Sequence, residues 1–362
     1  MAGEKRIAIV QPAVPDYRQP LFDRLAAIYT GRFHVYAGGC VGAGTIRTIG
    51  AARDWLVPLR NHFMLGERLL WQHGHEDKLF DADLVILSGS LRTLSSLRLL
   101  AGRRRRRAAT LLWGHIRGKH RAVVPLRHLQ VWASEGFIAY TDHDAAIARR
   151  MLPEARVWTA SNSCVWRREC VAQRDDGQEP HDIVCVGRLV SAKKPALLID
   201  AFARLVATAA VPRTTTLVFV GDGPLGDMLK RRAQTLGLAG RVAFRGHVWQ
   251  PEDLWPVYDR ALVAVSPGYV GLAAIQAFAR GVTLVVSRNE PHAPEIVACR
   301  AGFNSHFFDT DDPADLAATI AGCFMAADEL RSRRPAIAAH TADRFTYDVM
   351  IDGFRAAIEA CR

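Results

Sequence analysis

The residues best equipped for chemistry lie between Ile183 and Pro195, where the chain reads IVCVGRLVSAKKP. An apolar run and a glycine are followed by Arg188 and Lys193, five positions apart, at the mouth of a predicted helix. Two cations fixed at the end of a buried strand can clamp a phosphate. Arg188 offers a rigid fork of donors and Lys193 a mobile point charge, enough to neutralise most of the roughly two to three charges of a diphosphate. Alone, the pair reads equally well as two surface cations. The segments that follow shift the balance. Gly221–Pro224 is GDGP, opening a helix after the next strand with Pro224 as its first residue; glycines there let backbone approach a ligand, and a helix start favours anions. Ser266–Val282 is SPGYVGLAAIQAFARGV: a strand end, a loop kept open by Gly268 and Gly271, and a helix from about Leu272. Glu290–Ile296 is EPHAPEI, with Glu295 before a further helix.

In the first half, His115 stands at the carboxyl end of a strand in LLWGHIRGK, either as a site residue or as a satisfied structural histidine. Asp16, Tyr17 and Arg18 follow the first strand and either meet a ligand or hold the first helix. Arg117, Lys119, His120 and Arg121 make a basic acceptor side or a solvated loop. His73, His75 and Glu76 lack a second ligand cluster and read as a solvated loop or helix rather than a metal site. Asp311–Asp312 precedes Pro313 and reads as a helix cap, not a metal-binding pair. No metal site is expected.

Positioning these residues requires parallel sheets. Ile7–Val10, Phe33–Tyr36, Leu84–Leu87, Thr110–Trp113, Phe137–Tyr140 and Val157–Ala160 read as buried strands separated by amphipathic helices. The polar stretch Arg167–His181 reads as a linker, after which strands Ile183–Val186, Leu217–Val220, Val242–Phe244, Leu262–Val265 and Leu284–Val286 restart the alternation. The expected fold is α/β, two tandem Rossmann-like domains with doubly wound parallel sheets facing a cleft. Residues 1–170 form the acceptor-side domain and 171–344 the donor domain. The helix over 345–362 packs back across their junction. In such sheets ligands bind beyond the carboxyl ends of the strands.

The chain has 362 residues, 49% apolar and 23% charged, which suits two soluble globular domains. No apolar run reaches the ~18–20 residues of a membrane span, and the N-terminus reads as a first strand rather than a signal peptide. Seven scattered cysteines without paired spacing read as free thiols in a reducing cytoplasm. The net charge is +11, and Arg103–Arg107 are five consecutive arginines. That run reads as a solvated loop or as an attraction to anionic partners, with the inner face of a membrane ahead of nucleic acid. No stacking aromatics, helix-turn-helix, RNP or zinc-finger pattern accompanies it, so no specific nucleic acid is expected.

The order GRL-x3-K, GDGP, G-x-V-G-L with a small-residue helix, then PEI resembles the donor half of the family 4 retaining nucleotide-sugar glycosyltransferases, over roughly Asp182–Gly302. The resemblance implies the GT-B fold and transfer from a nucleotide diphosphate sugar, a co-substrate with no other cofactor, to a saccharide, lipid-linked or other acceptor. It implies Arg188, Lys193 and His115 as catalytic residues. Gly187, Gly221, Gly223, Gly268, Tyr269, Val270, Gly271, Leu272, Gln276 and Glu295 would line the donor, the Gly268–Leu272 loop through its backbone N–H groups. His115 would lie near the donor sugar. One departure stands out: family members carry glutamates at the positions of Gly268 and Gln276. Gln276 can still hydrogen-bond a ribose hydroxyl; Gly268 has only backbone to offer. Two readings compete with transfer: a sugar-nucleotide epimerase, and a non-catalytic binding protein that keeps the fold.

Overall fold

Most of the apolar runs become central strands because helices cover both of their faces, while those at Val157 and Val242 become edge strands. The computed structural model describes residues 5–39, 48–50, 53–116, 124–151, 156–172, 179, 181–248 and 251–361. The chain divides into one unit of residues 1–162 and 347–362 and a second of residues 163–346.

In the first unit the strands are β1 Ile7–Ala13, β2 Phe33–Gly38, β3 Leu56–Pro58, β4 Arg60–Met64, β5 Leu69–His73, β6 Leu84–Ser88, β7 Ala109–Gly114, β8 Gly136–Ala139 and β9 Arg156–Thr159. Seven of them form a parallel sheet in the order β3-β2-β1-β6-β7-β8-β9, while β4 and β5 pair as a separate antiparallel hairpin. Period-two alternation splits the strand residues between faces. Val10, Val85, Leu87 and Leu112 share one core. On β7 the next residue along, Trp113, is fully buried with Phe22 and Phe354 against its ring.

The second unit holds β10 Asp182–Val186, β11 Leu217–Val220, β12 Val242–Phe244, β13 Ala261–Ser266, β14 Thr283–Ser287 and β15 Ser305–Phe308, in the order β12-β11-β10-β13-β14-β15. Ile183, Phe219, Val263 and Val285 pack into one core. Val184, Val218, Ala264 and Val286 pack into the other.

Several elements depart from the sequence reading. The hairpin β4–β5, the short β3 and β15 lack continuous apolar runs and were not anticipated. The division of the chain falls after Asn162 rather than after residue 170, because Val165 is fully buried in the second unit's core with Cys164 and Cys170 packed against it. The last helix, Tyr347–Ala360, belongs to the first unit, against β9 and the helix Gln19–Ile28. Gly353 lets it approach closely: a Cβ there would lie 2.1 Å from the Thr159 carbonyl oxygen. The helix predicted to begin at Pro224 begins at Gly226, since a turn closed by the Gly226 N–H on the Gly223 carbonyl takes up Pro224.

The arginine run is not a loop. Its first three residues end the helix Leu94–Arg105, and Arg103 is fully buried. The Arg103 guanidinium donates to the carbonyls of Leu79, Phe80, Ala82 and Ala109 and to the Thr110 hydroxyl at 2.7–3.0 Å. It ties this helix to the preceding one and to β7. Arg103→Ala would strand several buried carbonyls and should lower unfolding free energy by about 3 kcal/mol. Arg105→Ala, at an exposed position, should stay within about 0.5 kcal/mol of wild type, with denaturant unfolding as the measurement.

Candidate active site

Strand order decides where a ligand can sit in the second unit. From β10 the chain runs outward to β11 and β12, then crosses to β13 on the other side of β10. The crossover makes β10/β13 a topological switch point, where loops diverge and leave room above the carboxyl ends. Arg188 and Lys193 follow β10, and Tyr269 to Leu272 follow β13, so two segments 76 positions or more apart meet at neighbouring strand ends.

The meeting is specific. The Lys193 amine donates to the Tyr269 carbonyl at 2.7 Å and lies 3.5 Å from the centre of its ring. Arg188 donates to the Tyr269 hydroxyl at 3.1 Å. One residue, Tyr269, thus holds both cations, Lys193 through its carbonyl and ring face and Arg188 through its hydroxyl. Lys193 has two further N–H donors, and the space beside Gly271 lies 3.5 Å from its amine. Burial lowers the Lys193 ammonium to about 8, and the neighbouring Arg188 charge acts in the same direction. Cys185, Gly187, Arg188, Lys193, Ser266 and Gly271 line one concavity.

Gly268 explains the departure noted in the sequence. A Cβ there would lie 2.3 Å from the Ala192 carbonyl oxygen and 2.8 Å from the Lys193 backbone. The turn Ser191–Lys193 occupies the volume that a side chain at 268 would need. Gly221 and Gly223 face inward too: Cβ atoms there would sit 2.0 Å from the Gly187 oxygen and 2.5 Å from the Leu189 oxygen. These two glycines let the GDGP segment back the Arg188 loop, held by Leu189 N–H to Asp222 oxygen and Leu225 N–H to Leu189 oxygen.

The Val270 N–H donates to His292 Nδ1 at 3.0 Å, and the Ala293 N–H donates back to the Val270 carbonyl. That N–H, expected to face the donor, is already engaged. His292 was not singled out from the sequence, although it stands in the EPHAPEI segment. Leu272 caps the helix Ala273–Ala279, and Gln276 is half-buried within it. Glu295 is buried in the turn Pro294–Ala298, and its charge acts on Lys193.

In the first unit the switch point lies between β1 and β6, and His115 directly follows the adjacent β7. His115 Nδ1 lies 3.0 Å from Asp144 Oδ2. An ionised carboxylate only accepts, so the ring carries its proton on Nδ1 and presents Nε2 as an acceptor in the neutral form. Burial alone would raise the Asp144 carboxyl. Hydrogen bonds from His115, the Thr141 hydroxyl and the Ile116 N–H outweigh it and hold the group below its usual range. Asp144 was not picked out from the sequence; it lies three positions into the helix pattern Asp142–Met151.

Arg18 does not open onto solvent. Its guanidinium lies 4.3 Å from the Trp113 ring centre and donates to the Tyr140 hydroxyl at 2.9 Å, bracing the carboxyl ends of β7 and β8. The Tyr17 carbonyl accepts from the Tyr347 hydroxyl. Arg117, Lys119, His120 and Arg121 lie outside the described residues. Glu76 pairs with Arg98, and among the described residues no cluster of three or more His, Cys, Asp or Glu is arranged for a metal. Asp312 caps its helix, accepting from the N–H groups of Ala314 and Asp315.

Residues 180–325 match the family model for glycosyl transferases group 1. Mannosylfructose-phosphate synthase of Agrobacterium fabrum is 32% identical over 203 residues, 53% of this chain and 43% of the relative. D-inositol 3-phosphate glycosyltransferase 2 of Catenulispora acidiphila is 34% identical over 149 residues, 39% of this chain and 34% of the relative. The chain therefore spans less than half the length of these curated relatives. Among solved structures, Anabaena HepE in complex with UDP superposes with a TM-score of 0.68 at 16% identity, covering 98% of this chain and 100% of that one. Sucrose-phosphate synthase of Thermosynechococcus elongatus gives 0.65 at 17% identity, covering 98% of each chain. The chain has the GT-B fold, and residues 180–325 of its second unit are similar to group 1 glycosyl transferases.

Proposed function

We propose that the protein transfers a glycosyl group from a nucleotide diphosphate sugar to a saccharide, lipid-linked or other hydroxyl acceptor, with retention of anomeric configuration. The observation that carries this is the convergence of Arg188, Lys193 and the Gly268–Gly271 loop on one switch point. Two cations held by Tyr269, one of them buried enough to lose basicity, form a site suited to an anion. In the reaction the bond between the anomeric carbon and the diphosphate breaks. The acceptor oxygen bonds to that carbon on the same face, and the acceptor proton leaves with the diphosphate. Arg188 and Lys193 stabilise the charge that grows on the leaving group. Gln276 is assigned to the ribose, and His115, oriented by Asp144, to the donor sugar. The UDP held by HepE supports a nucleoside diphosphate, with UDP as the first probe.

Arg188→Ala removes a charged fork from the diphosphate. It should weaken binding of the preferred nucleoside diphosphate by about 100-fold in calorimetry, equivalent to roughly 2.7 kcal/mol. Unchanged affinity would remove the clamp from the site. Release of nucleoside diphosphate that depends on an added acceptor separates transfer from epimerisation, which needs no acceptor, and from binding without turnover.

The ionisation of Lys193 gives a pH signature. Its lowered value, about 8, means the free protein loses this positive charge as pH rises through 8. A bound diphosphate favours the charged form. The contribution of Lys193 to affinity should be flat below pH 7, fall above pH 8, and be accompanied near pH 8 by uptake of about half a proton. Calorimetry in buffers of different ionisation enthalpy reads that uptake. Lys193→Arg should abolish both the slope and the uptake; a slope that persists would assign the titration elsewhere.

A further inference from the structure

The basic run and the helix beside it form a surface that the chemistry above does not use. The helix Val124–Trp132 exposes Leu126, Leu129 and Trp132 at 56%, 57% and 57% of their full accessible surface. Their spacing of three sets them in one row along the helix, while Gln130 and Val131 turn inward. Arg127 roots this helix, donating to the carbonyls of His115 and Gly89 at 2.6 and 2.9 Å. The apolar row is therefore displayed by an anchored element.

The row ends on positive charge. Arg104 lies 4.0 Å from the Trp132 ring centre and donates to the Trp132 carbonyl at 2.9 Å. Arg105 and Arg107 are exposed and have no carboxylate partner among the described residues. Arg106 alone of the exposed four faces an acid, Asp81 at 3.7 Å. Leucines and a tryptophan beside uncompensated arginines match what the boundary of an anionic bilayer selects: apolar side chains that enter the acyl margin, an indole at headgroup level, and cations against lipid phosphates.

We propose that this face docks on an anionic lipid bilayer, with Leu126, Leu129 and Trp132 at the acyl boundary and Arg104, Arg105 and Arg107 on the headgroup phosphates. Charge selects this occupant over a second copy of the chain. A two-fold contact would bring the patch against itself and set arginines against arginines. The proposal stands independently of the transferase reading, because none of these residues lies in the donor site.

The test is co-sedimentation of the full chain with vesicles of phosphatidylcholine alone and of phosphatidylcholine mixed with phosphatidylglycerol. The protein should pellet with the anionic vesicles, remain in solution with the neutral ones, and dissociate as salt shortens the range of the charges. A variant carrying Leu126→Ser, Leu129→Ser and Trp132→Ser should lose at least tenfold in partitioning at an unchanged melting temperature. Arg104→Ser with Arg105→Ser and Arg107→Ser should do the same, and it provides the readout if the apolar variant does not fold. No pelleting, equal pelleting on neutral vesicles, or undiminished pelleting of the arginine variant would overturn the proposal. So would a wild-type dimer in sedimentation velocity that the apolar variant disperses.

Discussion

The bond from the Lys193 amine to the Tyr269 carbonyl joins the two loops that meet at the switch point of the second unit. It depends on Gly268. Only a residue without a side chain lets the turn Ser191–Lys193 come close enough for Lys193 to reach the next carbonyl and stand over the next ring. The position of Arg188 follows, since its guanidinium rests on the same tyrosine's hydroxyl. GDGP supports the arrangement from behind: Gly221 and Gly223 admit the backbone of the Arg188 loop where any Cβ would collide with it. The geometry of the Arg188–Lys193 pair is thus a packing problem solved by glycines, with charge placed on the result.

This recasts the missing glutamates. A glutamate at 268 is incompatible with the turn as it stands, so its absence is not a simple loss of a functional group. The carbonyl and phenol of Tyr269 organise the cations. They do so without negative charge, so the pair keeps its net positive charge. In the first unit the design differs. There a carboxylate, Asp144, fixes one histidine, and a buried Arg18 stiffens the strand ends through aromatic faces.

Central strands and the pairing of Arg188 with Lys193 at a strand end were legible because both leave a local mark. A buried parallel strand is a continuous apolar run, and GRL-x3-K with the glycine loop is a compact string. What stayed hidden depends on distance along the chain. Tyr269 as the residue that holds Arg188 and Lys193, His292 as the partner of the Val270 N–H, and Asp144 as the partner of His115 each join segments that only the sheet order brings together. The hairpin Arg60–His73 escaped because its strands are half polar, and Arg103 because a buried arginine looks like its exposed neighbours. Glycines were recognised as marking close approach, but not what approached them: at 221, 223 and 268 it is the protein's own backbone.

If the Gly268 contact sets the clamp, adding one methyl group there should undo it. Calorimetric titration of UDP into wild type and Gly268→Ala, with the melting temperature of each followed in parallel, reads this directly. Wild type should bind, and Gly268→Ala should lose most of that affinity while staying folded, because the turn carrying Lys193 must retreat from Tyr269. Equal UDP affinity in the two proteins would contradict the dependence of the phosphate site on that contact.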